Sequence, residues 1–281
     1  MPLVTLATAL AIAKEKNIAI AAFNIGNYES LKAVIDCATE EKLPVIIQIF
    51  NRLFNDDKAR DYATLVRVMA ENTDVPVVLH MDHGKTIDQV KRAVQYGFTS
   101  VMIDASELPM EENIQMTKEV VTIAHPHGIS VEAELGRLLP KGTVDCENFL
   151  TVPEEAFEFV KQTGIDALAV AIGTSHGFYK ETPFIDIERL KKINALVGIP
   201  IVLHGGSGTP KEDIQKSILN GIRKINIATE LHQAYIDATA IQAEIYKTKF
   251  SPIDVYNVPV YDKMKVLVRQ KMRLFAMRSS I

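Results

Sequence analysis

Three histidines follow apolar, strand-like runs, in PVVLHMDH (76–83), ALAVAIGTSH (167–176) and PIVLH (200–204). They are far apart in sequence. A chain that bends each run into one parallel barrel would bring His83, His176 and His204 to the same rim. Three neutral imidazoles with a fourth position open are the ligand set of a catalytic zinc ion. Asp82 immediately precedes the first of them and would place a carboxylate beside that metal. A single histidine at a strand end is usually a satisfied structural residue. Here four of the seven (His80, His83, His176 and His204) stand at strand ends, and coincidence accounts for that poorly. His80 shares a strand face with Asp82, which suits it to orient the site without touching the metal. His125 and His127, in AHPHG, fall at the opposite end of the strands and His232 in a helix. These three read as structural or solvent-facing.

Carboxylates and glycines extend the pattern. Glu132 and Glu134 alternate onto one face of their strand, towards a barrel axis or rim. Buried carboxylates need partners, supplied either by a metal and its histidines or by a layer of salt bridges. The strand runs carry almost no Lys or Arg except Lys224, which the run boundaries place at the far end from the histidines. That favours a metal-supporting role for Glu134 and Asp104. Glycines in HGGSGTP (204–210) let backbone N–H groups approach an anion, and a helix N-terminus adds its positive dipole end. Ser207, Asn226 and Thr229 can add side-chain hydrogen bonds there. A GGSG loop alone is weak evidence, but its place after a seventh strand is where barrels bind phosphate.

The elements that must position these residues repeat one unit. The strand-like runs are 19–25, 44–50, 76–82, 100–105, 130–135, 167–173, 200–206 and 224–229, nearly all apolar, as suits parallel strands buried on both faces. Between them lie segments such as 29–41, 86–97 and 210–221, with apolar residues at helical spacing and Gly or Pro stop signals. Eight such units in about 230 residues predict a (β/α)8 TIM barrel, an α/β fold. Residues 3–16 read as an amphipathic helix capping the bottom, and 231–281 as the last helix plus a helical tail. No low-complexity linker interrupts 1–281, so a single barrel domain is expected. A doubly wound open sheet shares the same alternation, and periodicity does not decide closure.

Composition agrees with an enzyme. The 281 residues are 47% hydrophobic and 23% charged, with net charge −4, which supports neither a nucleic-acid nor a membrane partner. Two cysteines, Cys37 and Cys146, lack metal-finger spacing and read as reduced thiols. The N-terminus lacks a signal-peptide pattern and no run reaches membrane-spanning length, so a cytoplasmic location is expected.

Together HMDHG (80–84), SVMIDAS (100–106), VEAELG (131–136), AVAIGTSHG (169–177), VLHGGSG (202–208) and KINIATE (224–230) resemble the class II, metal-dependent ketose-bisphosphate aldolases, closest in appearance to the tagatose-bisphosphate branch. The resemblance runs in order from about residue 5 to 230. It implies one Zn2+ held by His83, His176 and His204, with Asp82 as acid/base and Asp104 and Glu134 at an alternative metal position. It implies dihydroxyacetone phosphate bound by Gly177, Gly205, Gly206, Ser207, Asn226, Ile227, Ala228 and Thr229, and in some members a monovalent cation, Na+ or K+, near Gly177 and Gly205. The implied reaction is reversible cleavage of tagatose or fructose 1,6-bisphosphate, by a homodimer or homotetramer. A Schiff-base mechanism needs a lysine at a strand's open end, and ALAVAIG has none.

Two segments depart from that pattern. ELGRLLPKGTVDCENF (134–149) lacks the paired glycines of the family's mobile acidic loop, leaving Asp145 or Glu147 as substitutes. FNRLFN (50–55) replaces small polar residues with bulk, and Arg52 there reads equally as an anion ligand or a solvated rim residue. These departures keep two alternatives open: a different phosphorylated keto-sugar as substrate, or a sugar-phosphate-binding barrel with little turnover.

Overall fold

A computed structural model describes residues 3–136, 149–175, 177 and 183–279. Eight parallel strands close into a barrel in sequence order, β1 (Ile20–Asn24), β2 (Val45–Phe50), β3 (Val77–Gly84), β4 (Ser100–Ile103), β5 (Ser130–Leu135), β6 (Ala167–Val170), β7 (Ile201–Leu203) and β8 (Ile222–Ile227). Strand β8 returns to β1 through Ile20↔Lys224 to Phe23↔Ile227, which settles closure against the open sheet. The helices are α1 (Leu6–Glu15), α2 (Tyr28–Glu41), α3 (Lys58–Glu71), α4 (Ile87–Tyr96), α5 (Met110–Ala124), α6 (Pro153–Thr163), α7 (Ile187–Val197), α8 (Lys211–Leu219), α9 (Thr229–Ile245) and α10 (Ile253–Phe275).

Local signals explain the boundaries. Helix α2 starts at a capping box, in which Asn27 accepts from Ser30 N–H and the Ser30 hydroxyl reaches back to the cap backbone. Helix α4 starts at Thr86, which accepts from Gln89 N–H, and ends at Gly97 in the left-handed region. The sheet–helix interface is apolar all round the barrel, as the continuous runs require.

Helix α1 closes the N-terminal end, as its amphipathic pattern predicts. Leu6, Ala9, Leu10 and Ala13 are fully buried against the barrel residues Ile20, Ala22, Ile46, Val78, Ala167, Ala169 and Val202. Its entry is tied down by Val4 N–H to Val77 C=O (2.9 Å) and Ala7 N–H to Ser130 Oγ (3.0 Å). Burying each leucine contributes roughly 1.5–3 kcal/mol. With that end sealed, the C-terminal ends of the strands are left to carry the polar site.

Candidate active site and metal centre

Strand β3 brings three functional side chains to one place by breaking its own alternation. His80 and Asp82 point into the barrel and are buried. Strict period-2 geometry would turn His83 outward. Against β4 the register runs Met81↔Val101 and then Gly84↔Ile103, so β3 carries one extra residue. His83 absorbs it at φ 51, in the left-handed region. Gly84 makes the bulge possible, since a Cβ there would lie 2.6 Å from the Met102 carbonyl oxygen and 2.4 Å from Met81 Cε.

The re-aimed His83 ring meets His204, just beyond β7, edge-on at 4.8 Å between centroids. Ligand atoms of His83, Glu134 and His204 all lie within 4.8 Å of one another. Glu134 Oε2 is buried, 3.3 Å from His204 Nδ1 and 3.9 Å from His83 Nδ1, and accepts no hydrogen bond among the described residues. A buried carboxylate oxygen facing two imidazoles without a donor suits a divalent cation, so the donor set fits the metal that the sequence implies. His176 lies outside the described residues.

Each ring is oriented from behind. His204 Nε2 is 3.0 Å from Glu132 Oε1, and Lys224 Nζ holds both Glu132 oxygens at 2.8 and 3.0 Å. Lys224 is fully buried inside the barrel, because β8 begins at Ile222. This corrects the expectation that it stands at the wrong end. For Glu132 the buried salt bridge and the support of a histidine are the same arrangement. Burial alone would lower the His204 pKa, but the Glu132 and Glu134 carboxylates outweigh it and push it up to about 10. The same attraction favours a metal ion in the proton's place. His83 Nδ1 is 2.8 Å from Asp104 Oδ2, and Asn51 Nδ2 donates to the His83 carbonyl. His80 Nε2 lies 3.8 Å from Glu132 Oε2. The ring is hydrogen-bonded to Ser100 Oγ at 2.8 Å, and burial, reinforced by the Lys224 charge, lowers its pKa to about 3.

Asp82 sits beside this centre in a clamp of amides. Asn24 Nδ2 donates to Oδ2 at 2.8 Å, while Gln48 Nε2 (2.7 Å) and Asn226 Nδ2 (3.3 Å) donate to Oδ1. Burial would raise the carboxyl, but the charges of His83, Lys224 and His204 prevail and hold it below its ordinary value. Asn24 and Gln48 escape a reading that looks for charged groups. Their signal is a lone amide inside each of two apolar runs, AAFN and IIQIF.

The loops after β6, β7 and β8 pack against one another where the sequence expects an anion site. Gly205 has φ 70, and a Cβ on it would meet the Ser175 carbonyl oxygen at 2.4 Å, so only glycine allows the loop after β7 to touch the loop after β6. Gly206 N–H donates to Asn226 C=O at 3.2 Å, and buried Ser207 accepts from Glu230 N–H at 3.4 Å. Helix α9 begins at Thr229 behind Ala228, which offers no side-chain cap, and Ser207 Oγ takes the Glu230 N–H from the neighbouring loop instead. Ile227 is fully buried and presents only backbone, and Gly177 has φ 94. Asn226 also serves Asp82 through its Nδ2.

Other candidates fall elsewhere. Arg52 is exposed at the rim with its guanidinium 4.4 Å over the Phe50 ring. His125 pairs with Asp166 at 3.0 Å at the opposite end, and His232 Nε2–H donates to the Asn24 carbonyl at 3.0 Å. Asp145, Glu147 and Cys146 lie outside the described residues.

Three candidate metal ligands at the C-terminal mouth of a closed parallel barrel suit a metal-dependent barrel enzyme, and comparison narrows the class. Residues 4–279 match the family described as fructose-bisphosphate aldolase class-II. The chain belongs to that family and is an aldolase, a carbon–carbon lyase. It is 38% identical to the YdjI aldolase of Escherichia coli K12, with TM-score 0.86 over 97% of each chain. It is 31% identical to a putative fructose-1,6-biphosphate aldolase of Coccidioides immitis, with TM-score 0.87 over 96% of this chain and 95% of that one. The fold is also that of the fructose-bisphosphate aldolase of Campylobacter jejuni, at 24% identity and TM-score 0.83 over 98% of this chain and 95% of that one. Among the described residues no helix is long and apolar enough to cross a membrane.

Proposed function

We propose that the protein catalyses zinc-dependent, reversible cleavage of tagatose or fructose 1,6-bisphosphate to dihydroxyacetone phosphate and glyceraldehyde 3-phosphate. The observation that carries this reading is the convergence of His83, Glu134 and His204 at the barrel mouth with Asp82 clamped beside them. His83, His176 and His204 would hold the zinc, with Glu134 facing the same point. When bound, zinc supplies a Lewis acid that lowers the cost of negative charge beside the C2 carbonyl.

The chain's own groups perform the rest. Asp82, kept ionised by its surroundings, takes the C4 hydroxyl proton as the C3–C4 bond breaks, and the bonding pair stays on C3. In condensation Asp82 returns that proton to the aldehyde oxygen. The amides of Asn24, Gln48 and Asn226 fix which carboxylate oxygen is presented. Gly177, Gly205, Gly206, Ser207 and residues 226–229 grip the C1 phosphate, and that remote binding orients the reacting carbons. Protonation of C3 is assigned to Asp145 or Glu147. The functional unit is one barrel domain, working as a homodimer or homotetramer in the cytoplasm.

The second reading is an aldolase of the same mechanism for another phosphorylated keto-sugar. It is supported by Arg52 stacked on Phe50 at the mouth end of β2, next to the strand that carries Asp82. Triose phosphate release from a panel of ketose phosphates, with and without chelator, tests both. Chelator-sensitive release from a bisphosphate supports the first reading, and release only from another keto-sugar phosphate supports the second. Turnover undiminished by exhaustive chelation refutes both.

A further inference from the structure

Asp104 has every acceptor position engaged. Its Oδ2 lies 2.8 Å from both His83 Nδ1 and Lys85 Nζ. Its Oδ1 accepts the Ser106 hydroxyl at 2.7 Å and the Ser106 N–H at 3.3 Å. The carboxylate is 9% exposed, whereas the Lys85 side chain is 45% exposed, so the ammonium reaches in from solvent to a nearly buried partner. The Lys85 backbone is fixed on the rim. Its N–H donates to Gln89 Oε1 at 2.8 Å, and the preceding Gly84 carbonyl accepts Asp104 N–H at 2.8 Å.

A half-exposed ion pair contributes little to stability, which leaves the placement of this lysine to be explained at the site. An aspartate touching a ligand imidazole, with Glu134 Oε2 3.9 Å from the same ring nitrogen, is a natural oxygen donor to a divalent cation. Yet Asp104 does not belong to the converging set, which is His83, Glu134 and His204.

We propose that Lys85 is a positioning residue of the metal centre: its ammonium, seated on Asp104 Oδ2, commits Asp104 to orienting His83 and withholds it from the metal. The inference rests on the metal-centre reading above and adds what selects the ion. With Asp104 neutralised, the centre is dominated by imidazole nitrogen, which favours zinc over cations that prefer oxygen. With the ammonium removed, Asp104 becomes an extra anionic oxygen within reach.

The test is direct metal titration of stripped protein, independent of turnover, with Zn2+ followed by competition against a chromogenic chelator and Mn2+ by electron paramagnetic resonance. Lys85→Met keeps the aliphatic stem and lifts the charge, and its Tm verifies folding. It is expected to tighten Mn2+ binding on the order of tenfold, the scale of one partly screened charge near a cation. Lys85→Arg is expected to bind both ions as the wild type does. Adding Asp104→Asn to Lys85→Met is expected to abolish the gain. Unchanged or weaker Mn2+ binding in Lys85→Met overturns the proposal, as does a gain that survives Asp104→Asn. A wild-type protein that binds neither ion overturns the metal centre itself, and this inference with it.

Discussion

Asp82 receives three amide N–H groups while buried among positive charges, an arrangement that orients a carboxylate without coordinating anything. Asp82→Ala is therefore expected to retain metal and substrate binding and to lose about 10²–10⁴-fold in kcat, the scale of one acid/base group. Metal analysis alongside single-turnover kinetics checks this, and parallel loss of metal would make Asp82 a ligand or a ligand support. The histidines predict the opposite pattern. His176→Ala should lose zinc and nearly all activity while the far-ultraviolet circular dichroism stays that of the folded barrel. Full zinc occupancy in that variant would exclude His176 from the ligand set. Cys37 belongs to a different kind of site. Burial on α2, with its S–H to Lys265 C=O at 3.2 Å, pushes the thiol up to about 12. A raised thiol pKa means the unfolded chain releases its proton first, so this group's stabilisation is complete below about 9 and declines as pH rises towards 12. Peptide mapping after alkylation at pH 8.5 should find Cys37 unmodified in native protein.

At the scale of elements, the bulge in β3 is the device that makes the site. Two adjacent residues, Asp82 and His83, both serve one centre only because Gly84 lets the strand take up an extra residue. Gly84→Ala places a methyl against a carbonyl of the neighbouring strand, which must move. We expect about 1–3 kcal/mol of destabilisation with a lower zinc content. Urea denaturation and metal analysis on the same sample test this, and a stable variant with full zinc would show that the strand yields without moving His83. Helix α1 has the simpler role of a plug. Its apolar stripe is visible in the sequence, but that the stripe seals a barrel follows only once the strands have closed into one.

For the molecule as a whole, the Glu132–Lys224 pair joins β5 to β8 through the barrel interior and supports His204 at the same time. Removing one charge leaves the other buried and uncompensated, so Lys224→Met should cost about 3–5 kcal/mol, and Lys224→Met with Glu132→Gln should recover most of it. Equal stability of the single and double variants would mean the pair is not a barrel support. The strand and helix pattern, the histidines at strand ends, the inward face shared by Glu132 and Glu134, and the glycine loop after β7 were all legible in the sequence. They depend on periodicity and on residue chemistry, which are local. The Asp82 amide clamp, the re-aiming of His83, the reach of Lys224 and the grip of Lys85 on Asp104 were not. Each joins residues brought together by strand register and barrel closure, and a one-residue slip in β3 reverses which side chains face inward. The residue types therefore determined what chemistry was available, and the tertiary structure decided which groups share it, because hydrogen bonds and metal coordination depend on distances of a few ångströms that sequence spacing does not carry.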